Sequence, residues 1–252
     1  MAKIITVSNQ KGGVGKTTTA TTMADILHKV GRRVLLIDLD AQRNSTTLAG
    51  AKSGLGVKTI YDVLMSNIPI KDVIQETQHY DVAPGDKGLN EISAKLQKVG
   101  REFILADHID TIRGDYDFII IDTPPALGLP LNSAMIAADE LIIPLTSDAF
   151  AVSGLNDLVE NIQGVKRINR DLKIAGLLLV SYEGRLVTTK DWESVLPDVA
   201  KNLGTKVFDT KIRATEAIRQ SHNARMHLLD YDPGCNAAKD YVNFVKEYLG
   251  GK

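Results

Sequence analysis

The sequence predicts an α/β fold in one domain, with a mostly parallel, twisted sheet that carries helices on both faces. Short β-branched or aliphatic segments are apolar on successive residues, which is typical of strands covered on both sides. Segments with helical periodicity lie between them, as in βαβ units with right-handed crossovers. No repeat, low-complexity tract or long linker divides the 252 residues, so we expect residues 1–252 to form a single domain.

The predicted elements follow in chain order. The strands are Ile4–Val7, Val34–Ile37, Phe118–Ile121, Leu141–Pro144 and Ala175–Val180. The helices, with apolar residues three and four apart, are Thr17–Val30, Leu89–Val99, Phe103–Ile112, Leu155–Ile168, Trp192–Leu203 and Asn236–Leu249. The region Gly50–Gly88 is less regular, with a helix-like Thr59–Met65 and a short strand-like His79–Pro84 between glycines. We interpret it as an insertion beside the ligand-binding edge of the sheet.

Composition and charge exclude several classes of protein. A hydrophobic fraction of 44% and a charged fraction of 24% are ordinary globular values. The formal net charge of −1 gives no overall positive field that would hold the chain on nucleic acid or an anionic membrane. The lone Cys235 excludes an intrachain disulfide and favours a reducing cytosol. With neither a secretory signal pattern nor a membrane-spanning apolar run, we expect a cytoplasmic protein.

A glycine-rich loop follows the first predicted strand and precedes the first predicted helix. Gly15-Lys16-Thr17 fits the second half of the P-loop pattern G-x-x-x-x-G-K-[ST], with Gln10 in the first glycine position. In such a loop backbone N–H groups converge on phosphate oxygens, the lysine adds charge and the threonine hydroxyl is offered to Mg²⁺. The residues expected to bind nucleotide are Gly12, Gly13, Val14, Gly15, Lys16, Thr17 and Thr18.

Lys11 places a second lysine at the mouth of this loop. The run from Lys11 to Thr17 resembles K-G-G-x-G-K-[ST], the deviant Walker A motif of the ParA/MinD class of P-loop ATPases. The resemblance implies a P-loop NTPase fold, an ATP-dependent sandwich dimer, and contact of Lys11 with the phosphates bound by the other subunit. Lys11 would then act like an arginine finger supplied in trans, so it and Lys16 are predicted catalytic residues.

Two aspartates follow the second strand, in the run Asp38-Leu39-Asp40-Ala41-Gln42. Alone, this pattern is as consistent with a capped turn as with a site. Beside a P-loop it resembles the switch I motif D-x-D-x-Q of the same family, which implies that Asp40 positions the attacking water and Asp38 lies near the Mg²⁺ shell. Residues two apart on an extended chain project to the same face, so we expect both carboxylates to face the γ-phosphate.

The strand Phe118–Ile121 ends in Asp122, a Walker B pattern in which the aspartate holds Mg²⁺. Asp122-Thr123-Pro124-Pro125, with Leu127 and Gly128, resembles the switch II segment of the family. The predicted metal ligands are therefore Thr17, Asp38 and Asp122, and the expected cofactors are ATP and Mg²⁺.

Two C-terminal segments resemble the ParA branch. Tyr231-Asp232-Pro233 is similar to the Y-D-P signature of partition ATPases, and Val207–Thr210 to the strand before the adenine pocket. Ile212–Glu216 departs from the usual I-P-R-N-x-x-x-x-E run, which leaves the adenine contacts open.

A basic C-terminal segment is the candidate DNA contact. Residues 201–227 hold six basic residues against two acidic ones, whereas residues 102–160 hold eleven acidic residues and one basic residue. ATP-dependent dimerisation would double the number of phosphates neutralised and so switch binding on. Without an aromatic platform or recognition helix, we expect binding to double-stranded DNA that is indifferent to sequence. The candidate residues are Lys201, Lys206, Lys211, Arg213, Arg219 and Arg225.

The expected function is therefore a partition ATPase, slow alone and stimulated by DNA and a ParB-type centromere-binding partner. It would be nucleoid-associated when ATP-bound, and no N-terminal DNA-binding extension is expected because the chain begins shortly before its first strand.

A MinD-like membrane-associated positioning ATPase is the alternative. It would need a basic amphipathic tail, and the C-terminal lysines are offset by Asp240 and Glu247, so we expect no stable membrane binding. A reductase would need paired cysteines, and a metabolic synthetase stays open.

Overall fold

A parallel six-stranded sheet forms the centre of the computed structural model, which describes residues 1–147, 151–184 and 187–251, without the side chains of 151–157 and 187–191. The strands are β1 (Lys3–Val7), β2 (Val34–Asp38), β3 (Asp81–Ala83), β4 (Phe118–Asp122), β5 (Glu140–Leu145) and β6 (Lys173–Leu179). Their order is β3-β2-β4-β1-β5-β6, and every pairing is parallel. The predicted α/β fold class is thus confirmed.

Eleven α-helices connect the strands within the described residues. They are α1 (Lys16–Lys29), α2 (Asn44–Leu48), α3 (Ile60–Ser66), α4 (Ile92–Lys95), α5 (Ile104–Asp110), α6 (Leu129–Ala137), α7 (Ala151–Lys166), α8 (Val187–Asn202), α9 (Glu216–Ala224), α10 (Leu228–Tyr231) and α11 (Asn236–Tyr248). Short 3₁₀ turns lie at Ile70–Asp72, Lys87–Glu91 and Arg101–Phe103.

Helices cover both faces of the sheet, which explains the continuous apolar runs. Along β4, Ile119 belongs to the core cluster that includes α5, α6, α7 and α8, whereas Ile120 belongs to the cluster that includes α1 and α11. Successive strand residues point to opposite faces, so each is buried against a different helical layer. The predicted covering of both faces is confirmed.

The region Gly50–Gly88 is not an insertion, and that interpretation was wrong. Its strand-like segment contains β3, which pairs with β2 in the register Leu36↔Val82 and forms the edge of the main sheet. The strand contributes only three residues, and its buried Val82 and Ala83 supply its apolar contacts.

Two other expectations differ from the structure in extent. The predicted helix Leu89–Val99 is a 3₁₀ turn followed by the four-residue α4, because Leu96 leaves the helical conformation and Gly100 adopts φ 76°. The segment Val207–Thr210 makes a single bridge, Leu177↔Val207, in place of a strand. The unpredicted α6 is almost entirely buried, so it lacks the one-sided pattern of a surface helix.

Candidate functional site

A cleft of about 1150 Å³ opens at the carboxyl ends of the strands, where parallel α/β sheets bind ligands. One wall is the loop between β1 and α1 together with the first turn of α1. Further walls come from the segments that follow β2, β4 and β6 and from α9. The lining residues outside the loop and α1 include Asp40, Gln42, Asn44, Pro125, Val180, Ser181, Glu183, Ile212, Ala214, Thr215, Glu216, Ile218, Arg219, His222 and Tyr241.

The glycines of the loop are required by its backbone conformation. Gly13 and Gly15 have φ of 76° and 72°, in the left-handed region that favours glycine, and Gly15 is the N-cap of α1. The buried Asn9, which sequence reasoning missed, holds the loop in place. Its Oδ1 accepts from the Lys11 N–H at 2.9 Å, and its Nδ2 donates to the Pro144 carbonyl at 2.8 Å. The loop therefore presents the N-terminus of α1 to the cleft, ready to bind an anion.

The ammonium group of Lys16 is held inside the cleft. It donates to the Lys11 carbonyl oxygen at 3.0 Å, and the residue is only 7% exposed. Burial lowers the pKa of Lys16, while the carboxylates of Asp122 and Asp40 oppose that shift. A desolvated ammonium at the start of a helix attracts phosphate strongly, because little hydration has to be removed before contact.

Asp122 forms a buried polar cluster with two hydroxyl groups. Its Oδ2 accepts from the Thr17 hydroxyl at 2.7 Å and from the hydroxyl of Ser45 on α2. Its Oδ1 is buried and has no hydrogen-bond partner among the described residues. Burial raises the pKa of Asp122 to about 6, and the two hydroxyl donors oppose that shift. A buried carboxylate oxygen without a partner, next to a threonine hydroxyl, fits the all-oxygen coordination that Mg²⁺ prefers.

Asp38 lies beside Asp122 across the β2–β4 pairing, but its oxygens are already used. Oδ2 accepts from the N–H and the hydroxyl of Thr46 at 2.9 and 2.7 Å, and Oδ1 accepts from the Asp40 N–H at 3.0 Å. Burial raises the pKa of Asp38 to about 7, and the charge of Asp122 adds to the shift. The carboxylate of Asp38 thus fixes the loop after β2 and the start of α2.

The expected common face of Asp38 and Asp40 is not found. Asp40 lines the cleft, whereas Asp38 is fully buried beneath it. The reason is local: β2 ends at Asp38, and Asp40 begins a turn in which its Oδ1 accepts from the Gln42 N–H at 2.9 Å. Asp40 lies beyond the end of the strand, so the rule that residues two apart project to the same face does not apply to it.

Two side chains on the far wall of the cleft contact α1, and neither of them belongs to a recognisable sequence motif. His222 Nε2 lies 3.4 Å from the Thr18 hydroxyl, and the Tyr241 hydroxyl lies 3.1 Å from that of Thr19. Burial lowers the pKa of His222. These pairs are more than 200 positions apart, so no local pattern could have found them. Ser45, by contrast, follows the D-x-D-x-Q run by only three positions and could have been suspected from it.

Most of the basic residues in the predicted DNA segment form ion pairs, and one of them, Arg219, also lines the cleft. Lys211 pairs with Glu193, Arg213 with Asp240 at 2.7 Å, Arg219 with Glu216, and Lys206 with Glu247 at 3.9 Å. Lys201 and Arg225 are exposed and have no ion pair in the described part of the chain. Four of the six candidate cations therefore already face a carboxylate, and the role of the segment in DNA binding stays a prediction.

The sheet order and the phosphate loop define a P-loop nucleotide-binding protein of the α/β class. Residues 2–174 match the AAA domain family. The chain is 34% identical over 251 residues to the sporulation initiation inhibitor protein Soj of Bacillus subtilis, with 98% of each chain covered. It is 35% identical to the chromosome partitioning protein ParA of Caulobacter vibrioides, covering 98% of this chain and 94% of that protein. The chain belongs to the ParA/Soj-type P-loop ATPases.

Solved structures with the same fold match nearly the whole chain. Cobyrinic acid a,c-diamide synthase from Mycobacterium smegmatis, solved with ADP and magnesium, has a TM-score of 0.84 at 30% identity and covers 99% of this chain and 94% of that one. A plasmid partition protein from Borrelia burgdorferi has a TM-score of 0.78 at 27% identity and covers 99% and 98%. The predicted family and ATPase class are confirmed.

None of the described helices is long and apolar enough to span a bilayer.

Proposed function

We propose that this chain is an ATPase of DNA partition. ATP joins two copies into a sandwich dimer, the dimer binds double-stranded DNA without sequence preference in the cytoplasm, and a ParB-type centromere-binding partner stimulates hydrolysis and so releases the DNA. The observation that carries the proposal is that Lys16 and Thr17 line one cleft while the buried Asp122 accepts a hydrogen bond from the Thr17 hydroxyl at 2.7 Å. The names of the full-length relatives, chromosome partitioning protein among them, support the biological role.

The described side chains have distinct roles in this proposal. The N–H groups of the loop and the Lys16 ammonium bind the phosphates. Thr17 and the partnerless oxygen of Asp122 would hold Mg²⁺, which neutralises phosphate charge when bound. Asp40 lines the cleft and orients the attacking water. Asp38 acts indirectly. Its hydrogen bonds to Thr46 and to the Asp40 N–H hold in place the turn that carries Asp40.

Lys11 is the residue that would couple hydrolysis to dimerisation. Asn9 fixes its backbone N–H, and the Lys11 carbonyl is engaged by Lys16. The backbone of the half-buried Lys11 is therefore held at both groups, directly before Gly12, which lines the cleft. Contact with the γ-phosphate of the second subunit would place positive charge where negative charge spreads in the transition state.

The test of the whole proposal is the ATPase rate with DNA, with the product of the adjacent gene, and with both. We expect slow turnover alone and a synergistic increase with both, because hydrolysis must wait for the partner while the dimer is on DNA. Rates that respond to neither addition would refute the partition role.

Variants separate the roles of the lysines and of Asp40. Lys16→Ala abolishes nucleotide binding, whereas Asp40→Ala leaves an ATP-bound dimer that hydrolyses poorly. Lys11→Ala retains nucleotide binding by the monomer and loses dimerisation. Lys58→Ala, at an exposed lysine 3.6 Å from Asp72, is the matched control and behaves as the parent protein. Binding is followed with a fluorescent ATP analogue and dimerisation by light scattering. Equal loss of ATP binding in Lys16→Ala and Asp40→Ala would show that the role of Asp40 is misassigned.

A further inference from the structure

A cluster of carboxylates and imidazoles lies near the end of α1 that is remote from the phosphate loop. Asp25 on α1 is fully buried. Its Oδ1 lies 3.0 Å from Nδ1 of His79, in the segment before β3, and Nε2 of the same ring lies 3.3 Å from Oδ2 of Asp230 on α10. Nine residues of helix separate Lys16 from Asp25, a rise of about 13.5 Å, so the cluster is separate from the nucleotide cleft.

The donor atoms of this cluster converge closely enough to share one ion. One oxygen of each aspartate and one ring nitrogen of His79 lie within 4.8 Å of one another. Ligand atoms around a tetrahedral Zn²⁺ are about 3.4 Å apart, so shifts of about 1 Å at each side chain would complete such a site. The imidazole favours Zn²⁺ or a similar transition metal over Mg²⁺, which prefers oxygen ligands. The second ring nitrogen of His79 would keep a carboxylate partner, as metal-binding histidines usually do.

A positive charge already lies between the two carboxylates. The Lys29 ammonium donates to both oxygens of Asp25, at 2.8 and 2.6 Å, and to Oδ1 of Asp230 at 3.0 Å. The Lys29 side chain is 39% exposed and belongs to the last residue of α1, so it can turn into solvent when a divalent ion takes this position. Two carboxylates neutralise such an ion completely, and the exchange leaves no buried charge unpaired.

These ion pairs do not account for His227, the N-cap residue of α10. Its ring centroid lies 4.2 Å from that of His79. The residue is only 4% exposed, and its Nε2 is buried without a hydrogen-bond partner among the described residues. A buried nitrogen without a partner needs an explanation. As a ligand, this second imidazole would complete the set of four that a tetrahedral metal requires.

We infer that Asp25, His79, His227 and Asp230 form a structural site for a zinc-like divalent ion, distinct from the proposed Mg²⁺ site of the nucleotide cleft. A cavity of about 900 Å³, whose lining includes His79, His227 and Asp230, gives the ion access to the cluster. The ligands come from α1, from the segment before β3 and from α10 with its N-cap. A bound metal therefore cross-links three parts of the chain. It also fastens α10, which follows the cleft-lining α9 after three residues, to the helix that begins at the phosphate loop.

The experiment is a calorimetric titration of the untagged, full-length chain with Zn²⁺ in the absence of nucleotide. We expect one tight site per chain in the parent protein. His79→Ala should weaken Zn²⁺ binding by at least about 100-fold, since loss of a residue that only supports a metal ligand already costs about 10–100-fold. Asp230→Asn changes an exposed side chain, which protects the fold, and should also weaken binding strongly. His108→Ala, on α5, is the matched control and should bind Zn²⁺ as the parent protein does.

Two more variants test the role of the lysine and the location of the ion. Lys29→Met removes the competing ammonium, so Zn²⁺ should bind roughly tenfold tighter because no charge-assisted hydrogen bonds have to be broken. Asp122→Asn alters the proposed Mg²⁺ site and should leave the tight Zn²⁺ binding unchanged.

Thermal unfolding gives a second readout, because an ion that binds only the folded chain raises its Tm. Zn²⁺ should raise the Tm of the parent protein and of His108→Ala, but not that of Asp230→Asn. A parent protein that does not bind Zn²⁺ would overturn the inference and leave the cluster as a network of ion pairs. Tight binding that persists in both His79→Ala and Asp230→Asn, or that is lost only in Asp122→Asn, would overturn it as well. Circular dichroism spectra confirm that each variant is folded.

Discussion

Replacing Asp38 by asparagine removes one of two neighbouring buried carboxyl groups and leaves the side-chain volume almost unchanged. In the parent protein both oxygens of Asp38 accept hydrogen bonds, two from Thr46 and one from the Asp40 N–H. An asparagine can keep the bonds of one oxygen, but its NH₂ group then faces an N–H donor. The lost bond and the unpaired donors cost about 1–3 kcal/mol of unfolding free energy, independent of pH.

The carboxyl group itself makes the stability of the parent protein depend on pH. Burial, with the charge of Asp122, raises the pKa of Asp38 from 3.8 to about 7 in the folded chain. Between these values the folded state holds a proton that the unfolded state has lost, so stability falls as the pH rises from about 4 to about 7. A shift of this size corresponds to a loss on the order of 4 kcal/mol, since one pKa unit is worth about 1.4 kcal/mol. The asparagine side chain of the variant does not titrate, so this part of the pH dependence is absent from it.

Urea unfolding at pH 5 and pH 8, without Mg²⁺ or nucleotide, measures the difference. We expect Asp38→Asn to be less stable than the parent protein at pH 5, and the gap to close or reverse at pH 8. Asp72→Asn, at an aspartate whose side chain is 48% exposed, is the matched control and should follow the pH profile of the parent protein. Parallel profiles for Asp38→Asn and the parent protein would refute the reasoning, because they would show that Asp38 does not ionise in this window.

Two further predictions concern the proposed Mg²⁺ site and the core. Ser45→Ala removes a hydroxyl donor to Asp122 and should lower Mg²⁺ affinity in the presence of ATP by about 10–100-fold, measured by titration calorimetry; unchanged Mg²⁺ affinity would show that the hydroxyl does not support the metal ligand. Gly176→Ala would place a Cβ 2.5 Å from the buried ring of Phe208, so the ring must move, and urea unfolding should show a loss of about 1–3 kcal/mol. A variant as stable as the parent protein would mean that the ring shifts without cost.

Some features of the site are local in the chain, and the sequence predicts them for that reason. A P-loop needs its glycines, lysine and threonine within a few consecutive positions, because together they surround the phosphates and the Mg²⁺ of one nucleotide. The two-sided burial of β1, β2, β4, β5 and β6 requires apolar residues in succession, which is visible in five short segments. Asp122 could be suspected because it directly follows such a segment.

Other features depend on contacts between distant parts of the chain, and only the tertiary structure decided them. The short β3 became the sheet edge through its pairing with β2. Arg213 is held by Asp240, 27 positions later, which a count of basic residues cannot reveal. The direction of Asp38 was decided by a turn and by Thr46. The sequence by itself thus determined the strands and the phosphate loop, whose physics acts between neighbours in the chain. The tertiary structure decided which charges are paired and which carboxylate faces the cleft, because ion pairs and burial depend on neighbours in space.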